Sequence, residues 1–168
     1  MELNIRQANT GDATILQKFV ANLFAESLDV IFKRDVAPTV QDEIDLIEKL
    51  EASPNSCLLL AFEKEELVGI LDLHGFSGPQ KQHTAGFGMS VAKAYRNRGV
   101  GRALIEALIQ YAQSNEHLSR LELEVLEINK FAIQLYETMH FRHEGRKRAA
   151  VRVNGKFVDV LTLALLLK

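Results

Sequence analysis

A strand, a glycine-bearing loop and an amphipathic helix follow one another directly between residues 84 and 112, and this succession limits the folds open to the chain. Residues 84–91 (TAGFGMSV) are typical of a strand, and the loop after them ends in Gly99-Val-Gly101. The next residues repeat apolar side chains at helical spacing, namely Leu104, Ile105, Leu108, Ile109 and Ala112. A strand that runs through a short loop into a helix is typical of α/β domains.

Hydrophobic periodicity and capping residues predict the remaining elements. Helices are predicted to begin near Thr10-Gly-Asp12, at Thr39, where Asp42 completes a capping box, and at Asn129. Further strands are predicted over residues 3–8, 57–62, 67–73, 121–125, 146–153 and 156–167, with loops at 32–39 and 75–82. The order β-α-α-β-β-β-α-β-α-β-β predicts an α/β fold on a mixed sheet. Because no repeat or linker divides the sequence, we expect a single domain over residues 1–168.

Composition and charge exclude several functional classes. Of the 168 residues, 47% are hydrophobic and 25% are charged, and the formal net charge is −2, so the basic excess of a nucleic-acid binder is absent. The single cysteine, Cys57, cannot form an internal disulfide, and no Cys/His cluster has the spacing of a metal site. Because no apolar run reaches membrane-spanning length and no signal-peptide core is present, we expect a cytoplasmic protein without membrane contact.

Residues 89–102 (MSVAKAYRNRGVGR) carry the most chemical information. The first N–H groups of a helix have no intrahelical partner, and the helix dipole is positive at that end. Gly99 and Gly101 let the backbone approach an anion closely, while Arg96, Arg98 and Arg102 add donors that suit phosphate oxygens. This pattern is neither a P-loop nor a dinucleotide fingerprint. It predicts an anion-binding site, and a pyrophosphate is the first candidate for the anion. The alternative is an ordinary strand-to-helix turn beside a solvated basic patch.

Two blocks of the sequence resemble the GNAT superfamily of N-acetyltransferases. Arg96-Asn-Arg-Gly-Val-Gly101 is similar to that family's Arg/Gln-x-x-Gly-x-Gly/Ala signature, and residues 89–95 resemble the strand and turn before it. Residues 123–141, about 30 residues downstream, resemble the second hallmark, in which Asn, Ala, Leu-Tyr-Glu and a closing Gly-Phe recur. The C-terminal hairpin resembles that of bacterial members. Because both blocks occur at the family's spacing, the chain is identified by resemblance as a member.

The resemblance implies a fold and a cosubstrate. The fold is the GNAT-type acyl-CoA N-acyltransferase fold, a mixed sheet of about seven strands with splayed central strands and about four helices. The reaction is transfer of the acetyl group of acetyl-CoA to an amine, with the pyrophosphate on the signature loop and the pantetheine arm along the preceding strand. The implied cofactor-binding residues are Met89, Ser90, Val91, Arg96, Asn97, Arg98, Gly99, Val100, Gly101, Arg102 and Asn129.

Two residues are candidates for catalysis. The resemblance makes Tyr136, seven residues after Asn129, the acid that protonates the CoA thiolate, and a phenol keeps its proton at neutral pH. The alternative is a half-buried tyrosine with a hydrogen-bonded hydroxyl. Glu124 stands where some protein-acetylating relatives place a general base. Alternation puts it on one strand face with Glu122, so a pair of solvated or ion-paired carboxylates is the alternative. Many relatives also carry a carboxylate on the preceding strand, a place filled here by residues 85–87 (AGF).

Further residues carry weaker indications. His74 and His83 lie near the predicted cleft edge, where each either relays a proton or is structural. His140 replaces a glycine that the family commonly has, and a side chain in that left-handed position is costly. The basic run 142–148 (RHEGRKR) either meets the 3′-phosphate of CoA or protects a strand edge. Acidic residues that either attract a cationic amine or face solvent are Glu26, Asp29, Asp35, Asp42 and Glu43.

The acceptor stays open at this point. The first hypothesis is a small-molecule primary amine that attacks the thioester directly, and the second is the same chemistry on a protein N-terminus or lysine. The third belongs to another class, a regulatory module that binds CoA without turnover. The helices within residues 12–50 and the last hairpin are expected to shape the acceptor pocket.

Two apolar features also allow two explanations each. Residues 158–167 (VDVLTLALLL) are more apolar than a half-exposed edge strand should be, so they are either buried inside the sheet or form a homodimer contact. Gly86 and Gly88, inside a predicted strand, indicate either a local distortion or close packing.

Overall fold

The computed structural model describes residues 2–26 and 36–167, and over these ranges the elements occur in the predicted order. The strands are β1 (Leu3–Gln7), β2 (Cys57–Glu63), β3 (Glu66–Gly75), β4 (Thr84–Val91), β5 (Arg120–Leu126), β6 (Arg142–Val153) and β7 (Lys156–Leu166). The α-helices are α1 (Ala13–Glu26), α2 (Val40–Glu51), α3 (Val100–Ser114) and α4 (Lys130–Thr138), with short 3-10 turns at Thr10–Asp12 and Lys93–Tyr95. The first half of the predicted 32–39 loop lies outside the described residues.

Side-chain caps fix where the first helical segments begin. The Thr39 hydroxyl accepts a hydrogen bond from the Asp42 N–H, and the Asp42 carboxylate accepts one from the Thr39 N–H, so the predicted capping box is confirmed. At the first segment the cap is Asn9, one residue before the predicted signal, and Asp12 completes it by accepting from the Asn9 N–H. The Arg6 guanidinium donates two further bonds to Asp12, which tie this turn to β1.

The strands of the described chain form one sheet in the order β1-β2-β3-β4-β5-β7-β6. Neighbouring strands are antiparallel except β4 and β5, which run parallel. The pairing of β4 with β5 covers three residue pairs and ends at Gly86 and Glu122, so the two central strands then separate. The predicted mixed sheet of seven strands, with splayed central strands and four α-helices, is thus observed in the described residues.

The C-terminal strands differ from the prediction at two boundaries, by four residues at the start of β6 and by one residue at the end of β7. β6 begins at Arg142, four residues before the predicted start at 146. Its backbone pairs with β7 from this residue on, with Arg142 opposite Ala164, and this pairing does not depend on alternating side chains. β7 lies between β5 and β6, so burial in the sheet accounts for its apolar composition. A homodimer contact stays a prediction.

Each face of the sheet carries its own core. On one face Leu104 and Leu108 of α3 and Ile133 of α4 pack against alternate residues of the sheet, among them Leu71 and Leu73 of β3. On the other face α1 and α2 pack through a second cluster that includes Leu16, Phe19, Ile47, Leu58 and Leu60. β2 supplies both clusters by alternation, which explains its unbroken apolar run. None of the helices in residues 2–26 and 36–167 combines the length and apolar character that a membrane span requires.

Candidate active site

A cleft of about 1610 Å³ opens through the sheet where β4 and β5 separate. This volume exceeds the roughly 300–1000 Å³ of a pocket for one small ligand, so two molecules have room to meet in it. Residues of both sheet faces line the cleft. Phe87, Met89 and Val91 of β4 belong to the α3 and α4 side, and the alternating positions between them face α1 and α2.

One edge of β4 lacks a strand partner beyond Gly86 within the described chain. The opposite edge pairs with β3 as far as Val91, so the backbone of this segment is held extended. An extended ligand that carries amide groups can therefore add to the free edge as a further strand would. The predicted pantetheine-binding residues Met89, Ser90 and Val91 all line the cleft here.

The N-terminus of α3 opens into the same cleft. Its N-cap, Gly99, has a φ of 88°, a left-handed conformation that costs glycine little, and no side chain caps the helix. The first N–H groups of α3 consequently point to the cleft without intrahelical partners. A Cβ on Gly101 would lie 3.1 Å from Leu135 Cδ2, so glycine there lets α3 approach α4 closely. This end of the cleft suits a phosphate-bearing ligand.

The basic residues of the signature loop lie at different places. Arg96 lines the cleft and donates from Nε to the Val91 carbonyl, at 3.0 Å. Arg102 also lines the cleft, with Nη2 3.4 Å from Thr138 Oγ1. Arg98 does not line the cleft, and its guanidinium lies over the Tyr95 ring, 5.1 Å from the centroid. The predicted residues Asn97, Gly99 and Gly101 line the cleft, whereas the side chain of Val100 is buried in the core beneath it.

The phenol of Tyr136 reaches the cleft from α4. Its ring is buried and packs edge-on against Phe87 and Phe141, at centroid distances of 6.0 and 5.9 Å. The Tyr136 hydroxyl has no hydrogen-bond partner among the described residues. Every fully buried side-chain oxygen in those residues does have a partner, so the Tyr136 hydroxyl is not fully buried and is accessible from the cleft. Burial raises the pKa of Tyr136 to about 12, and the phenol therefore holds its proton at neutral pH.

Asn129 caps α4 as predicted. Its side-chain oxygen accepts a hydrogen bond from the Ala132 N–H at 3.2 Å. Its side-chain nitrogen has no partner in the described part of the chain, and the residue lines the cleft. A contact from that nitrogen to a ligand is therefore compatible with capping.

The two carboxylates of β5 project into the cleft on the face toward α1 and α2. Arg120 donates to Glu122, with distances of 3.1 Å from Nε and 3.0 Å from NH2. Glu124 accepts a hydrogen bond from Lys147 of β6. Both side chains are thus ion-paired, as the sequence allowed, and the role of Glu124 as general base stays a prediction.

A His–Asp pair faces the same space from β3. His74 Nε2 lies 2.8 Å from Asp72 Oδ2, and both residues line the cleft. His83 does not line the cleft, and its backbone carbonyl accepts from the N–H groups of Ser119 and Arg120. Sequence reasoning missed Asp72, although a charged residue inside the apolar run 67–73 was a signal that could have marked it.

Comparison with known proteins decides the family to which this site belongs. Residues 20–141 match the model of the acetyltransferase (GNAT) family. The chain belongs to the GNAT family. It is therefore an acetyl-CoA-dependent N-acetyltransferase, as the resemblance implied.

Individual relatives agree with this assignment. The chain is 29% identical over 165 residues to the L-amino acid N-acetyltransferase AaaT of Escherichia coli K12, with 97% of each chain covered. It superposes with a TM-score of 0.93 on a GNAT acetyltransferase structure from Streptococcus pneumoniae, at 30% identity over 98% of this chain and 99% of the other. A Salmonella typhimurium protein, yncA, solved with its cofactor acetyl-CoA, shares the fold at a TM-score of 0.88 and 17% identity, with 99% of this chain and 94% of that one covered.

The other charged residues singled out in this GNAT chain lie in several places. Arg146 of the basic run is paired with Glu127 and Asp159, and a role toward a 3′-phosphate stays a prediction. Asp42 and Glu43 line the cleft, whereas Glu26 is exposed at the end of α1. Asp29 and Asp35 lie outside the described residues.

Two exposed apolar residues at the cleft were also missed. Phe131 is 74% exposed and Ile128 is 47% exposed, and both line the cleft beside the start of α4. Phe131 lies off the apolar stripe of α4, and this misplaced phenylalanine was the signal available in the sequence.

Proposed function

We propose that this GNAT enzyme moves the acetyl group of acetyl-CoA to the primary amine of a small molecule by direct attack. The observation that carries the proposal is the end of β4–β5 pairing at Gly86 and Glu122, which opens one cleft to both faces of the sheet. A thioester that enters from the α3 and α4 side and an amine that enters from the α1 and α2 side would meet between the separated strands.

The residues around the α3 N-terminus fit the cosubstrate. In this proposal the N–H groups that follow Gly99 bind the pyrophosphate, and Arg96 and Arg102 supply positive charge beside it. The free edge of β4 at Met89, Ser90 and Val91 binds the amides of the pantetheine arm. The remaining loop residues, Asn97, Arg98, Val100 and Gly101, shape that loop, and the side-chain nitrogen of Asn129 contacts the arm.

Proton transfer completes the proposed reaction. The neutral amine forms a bond to the thioester carbonyl carbon, and a backbone N–H in the cleft stabilises the oxyanion. The adduct nitrogen then loses its second proton to solvent as the carbon–sulfur bond breaks. Tyr136 gives its proton to the thiolate as the carbon–sulfur bond breaks and then takes another proton from solvent. The incoming ammonium must lose a proton before attack, so a base on the acceptor side is required.

A small-molecule acceptor is favoured by the relative AaaT, whose name specifies L-amino acids as its acceptors and which matches nearly the whole chain. We therefore place L-amino acids first among the amines to be tested. Acetylation of a protein N-terminus or lysine by the same cleft is the alternative.

A thiol-release assay tests the proposal. Purified protein is mixed with acetyl-CoA and panels of L-amino acids, polyamines, aminoglycosides and short peptides, and release of free CoA is followed. Acetylation of at least one small amine supports the proposal, and turnover with peptides alone supports the alternative acceptor. Binding of CoA without turnover on any panel would identify a non-catalytic module and overturn the proposal.

A further inference from the structure

The registers of three strands place side chains in rows across the acceptor face of the sheet. His74 of β3 is opposite Gly86 of β4, which is opposite Glu122 of β5. In the next row Asp72 is opposite Gly88. Residues opposite one another point to the same face, so a His–Asp pair lies on one side of two glycines and a carboxylate on the other.

The two glycines carry no side chains of their own, and the side chains of Asp72 and Phe76 lie over them. A Cβ on Gly88 would lie 3.1 Å from Asp72 Oδ1, and a Cβ on Gly86 would lie 3.6 Å from Phe76 Cζ. The strands β3 and β5 lie about 10 Å apart across β4, since neighbouring strands are separated by about 4.8 Å. Asp72, His74 and both glycines line the cleft, so an amine that enters from this face can meet the His–Asp pair beside the separated strands.

His74 is set up to accept a proton. Its Nε2 is hydrogen-bonded to Asp72 Oδ2 at 2.8 Å, so the other ring nitrogen, Nδ1, is the one that can accept a proton. Nδ1 has no partner among the described residues, and the side chain is 44% exposed within the cleft lining. A carboxylate on one imidazole nitrogen orients the ring and stabilises the positive charge that forms when the other nitrogen takes a proton.

The other acidic groups on this face are already engaged. Glu122 is bound by Arg120, and Glu124 is bound by Lys147. On α2, Asp42 belongs to the capping box of that helix. Glu43, next to it, has an interaction partner of its own. Among residues 2–26 and 36–167, these four carboxylates line the cleft with His74, and Lys130 at the start of α4 lines it as well.

We propose that His74, oriented by Asp72, is the general base that deprotonates the acceptor ammonium. This inference rests on the proposed transfer to an amine. The ammonium N–H bond breaks, its proton moves to Nδ1, and the freed electron pair forms the new bond to the thioester carbonyl carbon. The imidazolium then returns the proton to solvent. In the reaction His74 is a catalytic residue, whereas Asp72 is a positioning residue.

The test compares His74→Gln and Asp72→Asn with wild type and with the control His83→Gln, whose side chain lies outside the cleft lining. The assay uses acetyl-CoA and the best acceptor found among the L-amino acids. We expect kcat/KM for the acceptor at pH 7 to fall about 100-fold in His74→Gln, while the KM for acetyl-CoA and the CoA affinity stay within twofold. His83→Gln should behave as wild type.

The pH profile separates a base from a structural residue. Above the pKa of the acceptor amine, solvent supplies the neutral amine, so the ratio of wild-type to His74→Gln rates should fall toward one as the pH rises. A smaller loss in Asp72→Asn, with the same convergence, supports its positioning role. A His74→Gln enzyme as active as wild type at pH 7, or a loss that stays constant with pH, overturns this inference and leaves the transfer activity intact. No transfer by wild type would overturn both.

Discussion

The ring of Tyr136 packs edge-on against that of Phe87, with 6.0 Å between the centroids and 76° between the planes. This contact holds a phenol on α4 against the strand whose free edge lines the cleft. Because the packing involves only the ring, a phenylalanine in place of Tyr136 should keep the contact and lose the hydroxyl.

Tyr136→Phe should therefore lower kcat by about 100-fold or more, since a positioned general acid contributes about 10²–10⁴-fold. The dissociation constant for CoA, measured by calorimetric titration, should change less than twofold. Tyr111→Phe is the matched control, because the Tyr111 hydroxyl bonds to the Ser56 carbonyl and lies outside the cleft lining. An unchanged kcat in Tyr136→Phe would remove this residue from the mechanism.

The raised pKa of the same phenol predicts how stability falls in alkali. Burial raises the pKa of Tyr136 to about 12 from 10.0, so between these values the unfolded chain loses a proton that the folded chain keeps. The stability that this group contributes is complete below pH 10 and is lost as the pH rises toward 12. Between pH 9 and pH 11 the free energy of unfolding, measured with urea, should fall by about 1 kcal/mol less in Tyr136→Phe than in wild type. Equal losses in the two proteins would contradict a buried, protonated phenol.

Gly99→Val should separate backbone strain from cofactor binding. Gly99 and Gly78 have similar positive φ angles, 88° and 94°, and a Cβ at either position would meet no atom within 4 Å. Both substitutions should cost about 1–2 kcal/mol of strain. Only Gly99 lies at the N-terminus of α3, so Gly99→Val should weaken CoA binding at least tenfold while Gly78→Val leaves it unchanged. Equal CoA affinities in the two variants would count against a pyrophosphate at α3.

Local patterns were sufficient to predict most of the fold. Alternation and flanking turns gave β4 its observed bounds, Thr84–Val91, and capping chemistry gave the start of α2 after Thr39. The prediction was wrong at the start of β6, where residues 142–145 are polar or glycine and show no alternation. That segment is extended because β7 offers it backbone partners, and such long-range pairing leaves no periodic signal in an edge strand.

The site could be predicted only where one segment carries it. The signature loop and the α4 tyrosine lie in continuous motifs, so their shared cleft could be expected. The pairing of Glu124 with Lys147 could not be predicted, because the two residues lie on either side of β7. Their contact depends on the registers of β5 with β7 and of β7 with β6. The row that places His74 beside Gly86 likewise depends on the registers of β3 and β4, which hydrophobic alternation does not specify to the residue.

Asp12→Asn should destabilise the protein in a pH-dependent way. Hydrogen bonds from Arg6, at 2.6 and 2.7 Å, and one from the Asn9 N–H hold the pKa of Asp12 below its usual range. The stability from this carboxylate is present above the unfolded-state pKa, near 3.9, and is lost as the pH falls through the lower folded-state value. Urea unfolding at pH 7 should show a loss of about 1–3 kcal/mol, and the difference from wild type should shrink by pH 3. Asp45→Asn, on the exposed face of α2, should change stability by less than about 0.5 kcal/mol. A pH-independent loss in Asp12→Asn would point to packing and not to charge.

His140→Gly should stabilise the protein. His140 follows α4 with a φ of 68°, a left-handed conformation in which a Cβ costs about 1–2 kcal/mol, and its N–H bonds to the Glu137 carbonyl at 3.0 Å. Glycine removes that strain but gains freedom in the unfolded chain, so the net gain should be about 0.5–1 kcal/mol, which corresponds to a rise of roughly 1–4 °C in Tm. His117→Gly is the matched control, because His117 has no positive φ and should only lose stability. Thermal unfolding followed by circular dichroism makes the comparison. A fall in Tm for His140→Gly as large as that for His117→Gly would show that the His140 side chain, and not its backbone strain, determines stability at this turn.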